Sequence, residues 1–183
     1  MKNLIIRQDL RIIIMKYMAI QHAFLLFVLS ISCSLAQNCQ APYSSTFYIN
    51  SSSYIDIVDS NMQFVQKSIV RSAHRVWTTS IPNAEWIWSN EIRSFTGTSE
   101  LFFLIQLQIN SLLSSATIQV AADNSASVSV NGSKVDLCKS SSYNVATSCK
   151  VKDYLKVGYN SFLFQAIDTG GDAGLIFSIA LRI

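Results

Sequence analysis

Residues 121–160 constrain the fold of this chain more than any other stretch of its sequence. Apolar and polar residues alternate on both sides of the dipeptide Asp123-Asn124, which is a polar turn signal. Asn131 followed by Gly132 is the sequence most typical of a two-residue β-hairpin turn. Strands joined by such tight turns run in opposite directions, so the stretch predicts antiparallel β-structure.

The same alternation recurs in the other apolar segments of the chain. Strands are expected over residues 54–58, 101–109, 116–122, 126–130, 162–166 and 175–183, with residues 46–49 as an edge strand. Residues 62–76 remain ambiguous, with 64–70 interpreted as strand and 74–77 as a second extended piece. A short helical turn over residues 151–157 is expected to end at Gly158, because glycine adopts left-handed backbone at little cost. Many short strands with one apolar face predict a single all-β domain, an antiparallel β-sandwich.

The N-terminus has the three-part pattern of a secretory signal. Lys16 precedes the apolar run at residues 23–29, and the small-x-small ending Ser34-Leu35-Ala36 follows it. An uncleaved membrane anchor is the alternative, but the apolar centre has about ten residues where a spanning helix needs ~20. We therefore expect export and cleavage after Ala36.

The predicted organisation is a signal peptide over residues 1–36, a polar segment over 37–53 and a β-sandwich over 54–183. Four of the 14 basic and one of the 11 acidic residues lie in the leader, which leaves ten of each and a net charge of zero. A neutral mature chain without a basic cluster argues against nucleic acid and anionic membranes as partners. No membrane span is expected after cleavage.

The cysteines indicate an oxidising compartment. Cys138 and Cys149 flank a polar, serine-rich loop and are the natural disulfide pair of a secreted protein. Cys39 is left over; it either stays free, links two chains into a homo-oligomer, or replaces one partner in this assignment. Zinc is a poor alternative because the mature chain has no CxxC and only one histidine, His74.

Several motifs resemble those of the galactose-binding-domain-like jelly rolls, which include the sugar-binding domain of family 2 glycoside hydrolases and secreted lectin-like modules. They lie at residues 86–88, 123–132, 143–145, 155–160 and 171–177. The resemblance covers about 100 residues and implies an antiparallel jelly roll of eight or nine strands. These motifs are turns and core strands rather than ligand contacts, so the resemblance implies a fold more than a function.

The sequence predicts a non-catalytic protein. No nucleophile, metalloprotease or phosphate-loop motif occurs, and the mature chain has one histidine. The carboxylate pairs Asp168 with Asp172 and Glu85 with Glu91 could act as acid and base, but all four residues read better as polar turn residues.

The tryptophans Trp86 and Trp88 are two residues apart and would share one face of a strand, with Ile87 opposite. They are interpreted as core residues, with a sugar-stacking platform and a protein interface as alternatives. Trp77 has a more polar neighbourhood and a greater chance of exposure.

The residues Asp168, Thr169 and Asp172, around two glycines, form the most site-like loop of the sequence. Its oxygens would suit sugar hydroxyls or Ca²⁺, while a plain tight turn is the alternative. Asp123 and Asn124 carry the same two interpretations. No cofactor is expected, and calcium at Asp168 and Asp172 is the one candidate.

Two sequons, at Asn50 and Asn131, would accept glycans on a eukaryotic secretory route, and Asn50 is favoured because Asn131 lies in a tight turn. The leading functional hypothesis is a secreted carbohydrate-binding, lectin-like adhesion module. A structural subunit of an extracellular or cell-surface assembly is the alternative, with another extracellular protein as partner. A hydrolase is a third, weaker candidate.

Overall fold

A computed structural model describes residues 44–90 and 97–183 of the chain and shows an all-β body made of two antiparallel sheets. The predicted antiparallel β-sandwich is confirmed. The strands are β1 (Thr46–Asn50), β2 (Asp56–Val58), β3 (Phe64–Lys67), β4 (Ile69–Val70), β5 (Ile87–Trp88), β6 (Ser99–Ile109), β7 (Ser115–Asp123), β8 (Ser125–Val130), β9 (Ser133–Ser140), β10 (Thr147–Lys150), β11 (Gly158–Asp168) and β12 (Gly174–Arg182). No helix in these two ranges has the length and apolar character needed to span a bilayer.

Each sheet has six strands. The first sheet has the order β10-β7-β12-β5-β4, and β1 also pairs with β12, beside the short β5. The second sheet has the order β3-β2-β6-β11-β8-β9. The chain passes repeatedly from one sheet to the other, for example through Asp123-Asn124 between β7 and β8. The expected turn at this dipeptide thus links the two layers rather than two hairpin strands.

The main core lies between the sheets, where the alternating apolar residues predicted from the sequence are buried. Phe164 of β11 stacks on Phe177 of β12 with ring centroids 4.1 Å apart, which joins the centres of the two layers. Trp88 and Phe103 form a second aromatic pair across the layers at 5.9 Å. Each aromatic ring removes on the order of 200 Å² from water, so these two pairs contribute to the apolar burial that holds the sheets together.

The turn residues behave largely as expected. Asn131 and Gly132 have φ values of 51° and 78°, which is the type I′ geometry that matches the twist of the β8–β9 hairpin. Gly158 has a φ of 111°, so its left-handed backbone is confirmed. The helical turn before it is shorter than predicted: a 3₁₀ turn covers only Lys152–Tyr154, because Leu155 is already extended.

The predicted disulfide is present between Cys138 of β9 and Cys149 of β10, with Cα atoms 5.4 Å apart. β9 is an edge of the second sheet and β10 an edge of the first, so the bond joins the two layers along one side. Closing a loop of this length contributes about 3 kcal/mol in the chain-entropy model. Cys39 and the predicted signal peptide lie outside the described residues.

Three expectations about the fold need correction. The sandwich extends into the polar segment 37–53, because the expected edge strand forms as β1 and pairs with β12. The described residues contain twelve strands rather than eight or nine, since five of them are short segments of two to four residues. Residues 74–77 are not extended: Trp77 N–H donates to the His74 carbonyl at 2.8 Å, which closes a β-turn.

Candidate functional site

The predicted ligand residues meet at one end of the sandwich. Sheet register places Gly174 opposite Asp123 in the first sheet and Ile167 opposite Ser125 in the second. The β7–β8 and β11–β12 connections therefore lie side by side. We call this region the loop end; it comprises Asp123, Asn124, Asp168, Thr169 and Asp172, together with His74 and Trp77.

The connection after β11 is held by the Asn124 side chain. Asn124 Oδ1 accepts hydrogen bonds from the Thr169 backbone N–H at 2.6 Å and from its hydroxyl at 2.8 Å. The Asn124 N–H donates to the Ile167 carbonyl at 3.0 Å. Asp168 Oδ1 accepts from the Gly170 N–H at 3.0 Å, a local turn bond typical of aspartate. The first half of this loop is therefore fixed by polar contacts with Asn124 and by one hydrogen bond of its own.

Trp77 connects the loop end to the loop before β5. Its indole Nε1–H donates to Asp123 Oδ2 at 2.7 Å, a buried bond between residues distant in sequence. Its ring packs on Trp86 with centroids 4.4 Å apart. The His74 ring packs on it in a T-shaped arrangement, with centroids 6.2 Å apart. Trp77 is only 7% exposed, although its polar neighbours in sequence favoured exposure.

The interpretation of Trp86 and Trp88 as one face of a strand is wrong. Trp86 packs in a small cluster on the outer side of the first sheet, with Trp77, Ile81, Ala121 and Ile176. Trp88 lies in the main core between the sheets and is fully buried, as is Ile87. The two indoles therefore do not form a shared platform, and the core interpretation describes both of them.

Burial and the nearby charged groups shift the pKa of Asp123. Its pKa is raised above 3.8, chiefly because burial disfavours the carboxylate. The hydrogen bond from Trp77 opposes this rise, the negative charges of Asp168 and Asp172 add to it, and His74 opposes it. At the rim, His74 Nε2 lies 3.3 Å from Asp172 Oδ2, and these side chains are 37% and 52% exposed. The solvent-facing chemistry is thus an imidazole beside a carboxylate.

Two of the candidate calcium ligands already have partners within the fold. Within the described ranges, no group of three or more His, Cys, Asp or Glu side chains is placed to hold a metal. One oxygen of Asp168 is bound to its own loop, and Asp172 faces His74. The other oxygen, Asp168 Oδ2, is buried and has no hydrogen-bond partner among the described residues.

The remaining predicted residues lie away from the loop end. Glu85 interacts through its backbone, which exchanges hydrogen bonds with Ser51, while Glu91 lies outside the described residues. Asn131 is in the β8–β9 turn, and Asn50 ends β1. The sequence did not point to His74 and Trp77 as partners of the loop residues, since their loop has no periodic pattern.

No family model matches this sequence, and no curated protein matches it either. Solved structures do match. One is an alpha-L-rhamnosidase of Streptomyces avermitilis complexed with L-rhamnose, 25% identical, with a TM-score of 0.47, covering 61% of this chain and 12% of that one. Another is the Pleurotus ostreatus lectin, 25% identical, with a TM-score of 0.43, covering 66% of this chain and 37% of that one.

A putative beta-galactosidase from Bacteroides fragilis also matches, at 9% identity and a TM-score of 0.45, covering 74% of this chain and 23% of that one. The chain thus spans well under half the length of these structures. The β-sandwich itself is established by the two sheets of this chain.

Proposed function

We propose that this β-sandwich is a non-catalytic carbohydrate-binding module that acts outside the cell and binds its ligand at the loop end. The observation that carries the proposal is the convergence of Asp172, His74 and Thr169 from two loops at one exposed rim. A carboxylate, an imidazole and a hydroxyl provide the hydrogen-bond donors and acceptors that sugar hydroxyls require.

The rim is supported by residues that would not themselves touch the ligand. Asn124 fixes the backbone of Thr169, and the Trp77–Asp123 bond anchors the turn that carries His74. Gly170 and Gly171 have φ values of 118° and 100°, which glycine adopts at little cost. They also place no side chain between Thr169 and Asp172. Such support holds a polar site in one geometry and lowers the entropy lost on binding.

The carboxylates favour binding over catalysis. Asp123 Oδ2 accepts the Trp77 indole N–H, and Asp168 Oδ1 accepts a backbone N–H of its own loop. Most glycosidases use two carboxyl groups that flank the scissile bond, whereas Asp123 and Asp168 each use one oxygen to hold the loops in place. The signal-like leader and the Cys138–Cys149 disulfide support an extracellular location.

A glycan array followed by calorimetric titration of the strongest hit tests this proposal. We expect His74→Ala and Asp172→Asn to weaken binding about tenfold or more, because each removes a charged or polar contact of roughly 1.5–3 kcal/mol. Asp136→Asn is the matched control, since Asp136 is an exposed carboxylate on β9 that pairs with Lys139. Unchanged binding in both rim variants, with normal binding in the control, contradicts the assignment.

A structural subunit of an extracellular assembly is the second candidate. It is favoured by β3, an edge strand on which Phe64 and Val65 are 61% and 54% exposed. Uncovered apolar edge strands are prone to pair with other chains. Light scattering of the wild type and of Cys39→Ser tests it: a stable oligomer of the wild type supports assembly, and its loss in Cys39→Ser would assign the link to Cys39.

A further inference from the structure

We propose that a cleft on the outer face of the first sheet holds the first sugar of a glycan linked to Asn50. The cleft has a volume of about 380 Å³. It is lined by Tyr48, Ile81, Pro82, Asn83, Gln119 and Ser178. This volume lies in the lower part of the ~300–1,000 Å³ range of small-molecule sites.

Strand register places Asn50 at the border of this cleft. Asn50 pairs with Ser178 of β12, which in turn pairs with Gln119 of β7, so the three residues form one row across the sheet. Tyr48 is two residues before Asn50, and side chains at this spacing lie on the same face of a strand. A sugar attached to Asn50 therefore begins next to the Tyr48 ring and the floor of the cleft.

The amide groups of the two sequon asparagines differ in what they bind. Asn131 Nδ2 donates to the Tyr154 carbonyl and to Asn160 Oδ1, both at 2.9 Å. No hydrogen bond holds the Asn50 Nδ2 in the described part of the chain, and only the Oδ1 of that amide is buried without a partner. A glycan on Asn50 would break no hydrogen bond, whereas one on Asn131 would replace a hydrogen that the fold uses.

The cleft has the mixed chemistry of a sugar ring. The Tyr48 side chain is 65% exposed and offers an aromatic face, and Pro82 offers an apolar wall. Gln119, Asn83 and Ser178 provide amides and a hydroxyl for the polar edge of the sugar. Pro82 and Asn83 are set by a turn in which the Ala84 N–H donates to the Ile81 carbonyl at 3.1 Å and Asn83 has a φ of 59°.

The modification is a group transfer with a defined donor. The Asn50 amide nitrogen forms a bond to the anomeric carbon of a lipid-diphosphate-linked oligosaccharide, and the bond from that carbon to the diphosphate oxygen breaks. The amide loses one proton, and the lipid diphosphate leaves with the bonding electron pair. Ser52 is the sequon hydroxyl residue.

The first experiment is secretion of the full chain from a eukaryotic host, with intact-mass measurement before and after glycosidase treatment. We expect one glycan on the wild-type chain and on Asn131→Gln, and none on Asn50→Gln or Ser52→Ala. A secreted wild-type chain without sugar on Asn50, or with its only sugar on Asn131, overturns the proposal.

The second experiment tests the cleft itself. The glycan is trimmed to one N-acetylglucosamine, and the melting temperature is compared with that of Asn50→Gln. We expect the sugar to raise the melting temperature by about 3 °C, which is the effect of roughly one aromatic contact on a domain of this size. Tyr48→Ala should abolish this difference, while Tyr159→Ala, which truncates an exposed tyrosine on the other sheet, should retain it.

Comparing each variant with and without sugar keeps the test valid even if a substitution lowers stability by itself. If the sugar raises the melting temperature equally in Tyr48→Ala and in Tyr159→Ala, the placement of the sugar on Tyr48 is contradicted. Free chitobiose added to Asn50→Gln distinguishes the two sources of sugar. If chitobiose raises the melting temperature of Asn50→Gln saturably, and by as much as the attached sugar does in the wild type, the cleft is assigned to a free ligand and the proposal is overturned.

Discussion

Replacing Gly174 with alanine would place a methyl group against the two indoles that support the loop end. An ideal Cβ at this position lies 2.6 Å from Trp77 Cη2, 2.9 Å from Trp77 Cζ3 and 2.9 Å from Trp86 Cε3. Carbon atoms in contact are normally about 3.5–4.0 Å apart, so the rings must move. Trp77 has little freedom to move, because its indole Nε1–H is bound to Asp123 and its ring packs on Trp86.

The expected cost follows from these contacts. Overpacking of a well-filled site costs about 1–3 kcal/mol, and displacement of Trp77 would also weaken its buried hydrogen bond to Asp123, whose loss costs about 1–3 kcal/mol. Alanine also reduces the entropy of the unfolded chain, but this stabilises the fold by only about 0.4–1 kcal/mol. We therefore expect Gly174→Ala to lower the free energy of unfolding by about 1–4 kcal/mol, and the melting temperature by roughly 4–15 °C.

Urea and thermal unfolding, followed by circular dichroism and tryptophan fluorescence, measure this effect. Gly97→Ala is the matched control, since no described residue apart from its chain neighbours has an atom within 4 Å of the added Cβ, and the φ of Gly97 is not in the left-handed region. The control should be neutral or slightly stabilising. Equal stability of the Gly174→Ala and Gly97→Ala proteins would refute the packing of Trp77 and Trp86 on Gly174.

Three further outcomes are expected. The pKa of Asp123 is raised in the folded state, so the native chain binds more protons than the unfolded chain just above pH 3.8. The wild type should therefore lose stability relative to Asp123→Asn as pH rises from about 4 to 7. A difference in the free energy of unfolding that stays constant over this pH range would argue against this. Calcium should leave the melting temperature unchanged, as should EDTA, since Asp168 Oδ1 and Asp172 already have partners within the fold; a saturable rise of the melting temperature with calcium would contradict this. Replacing both Cys138 and Cys149 by serine should lower the free energy of unfolding by about 2–5 kcal/mol in urea titrations, and a smaller loss would mean that the bond between the sheet edges contributes little.

Local rules predicted much of the fold. The Asn131 and Gly132 hairpin, the left-handed Gly158 and the alternating strands all depend on neighbours in sequence, and all are confirmed. The tryptophan pair shows where such rules end. Alternation from Trp86 onward predicts one shared face, but β5 begins at Ile87, so Trp86 lies outside the strand and packs on the opposite side of the sheet from Trp88.

The loop end could be predicted only in part. The sequence predicts two separate polar turns, since turn composition is a local signal. These turns contain Asp123, Asn124, Asp168, Thr169 and Asp172. Their convergence depends on which strands are neighbours in each sheet, and that is set by long-range packing.

The addition of Trp77 to this site also depends on contacts distant in sequence. Ala121 and Ile176 interrupt the polar face of β7 and β12, and that was the available signal that a loop covers the first sheet. Nothing in their periodicity indicates which loop does so.

The most direct test of glycan binding at the loop end is an NMR titration of the isotope-labelled chain with the strongest glycan from an array. The predicted result is that amide shifts concentrate at Thr169, Gly170 and Asp172, with further shifts at His74 and at the Trp77 indole N–H. Shifts confined to other surfaces, such as the exposed β3 edge, would contradict the account, as would the absence of binding to any glycan.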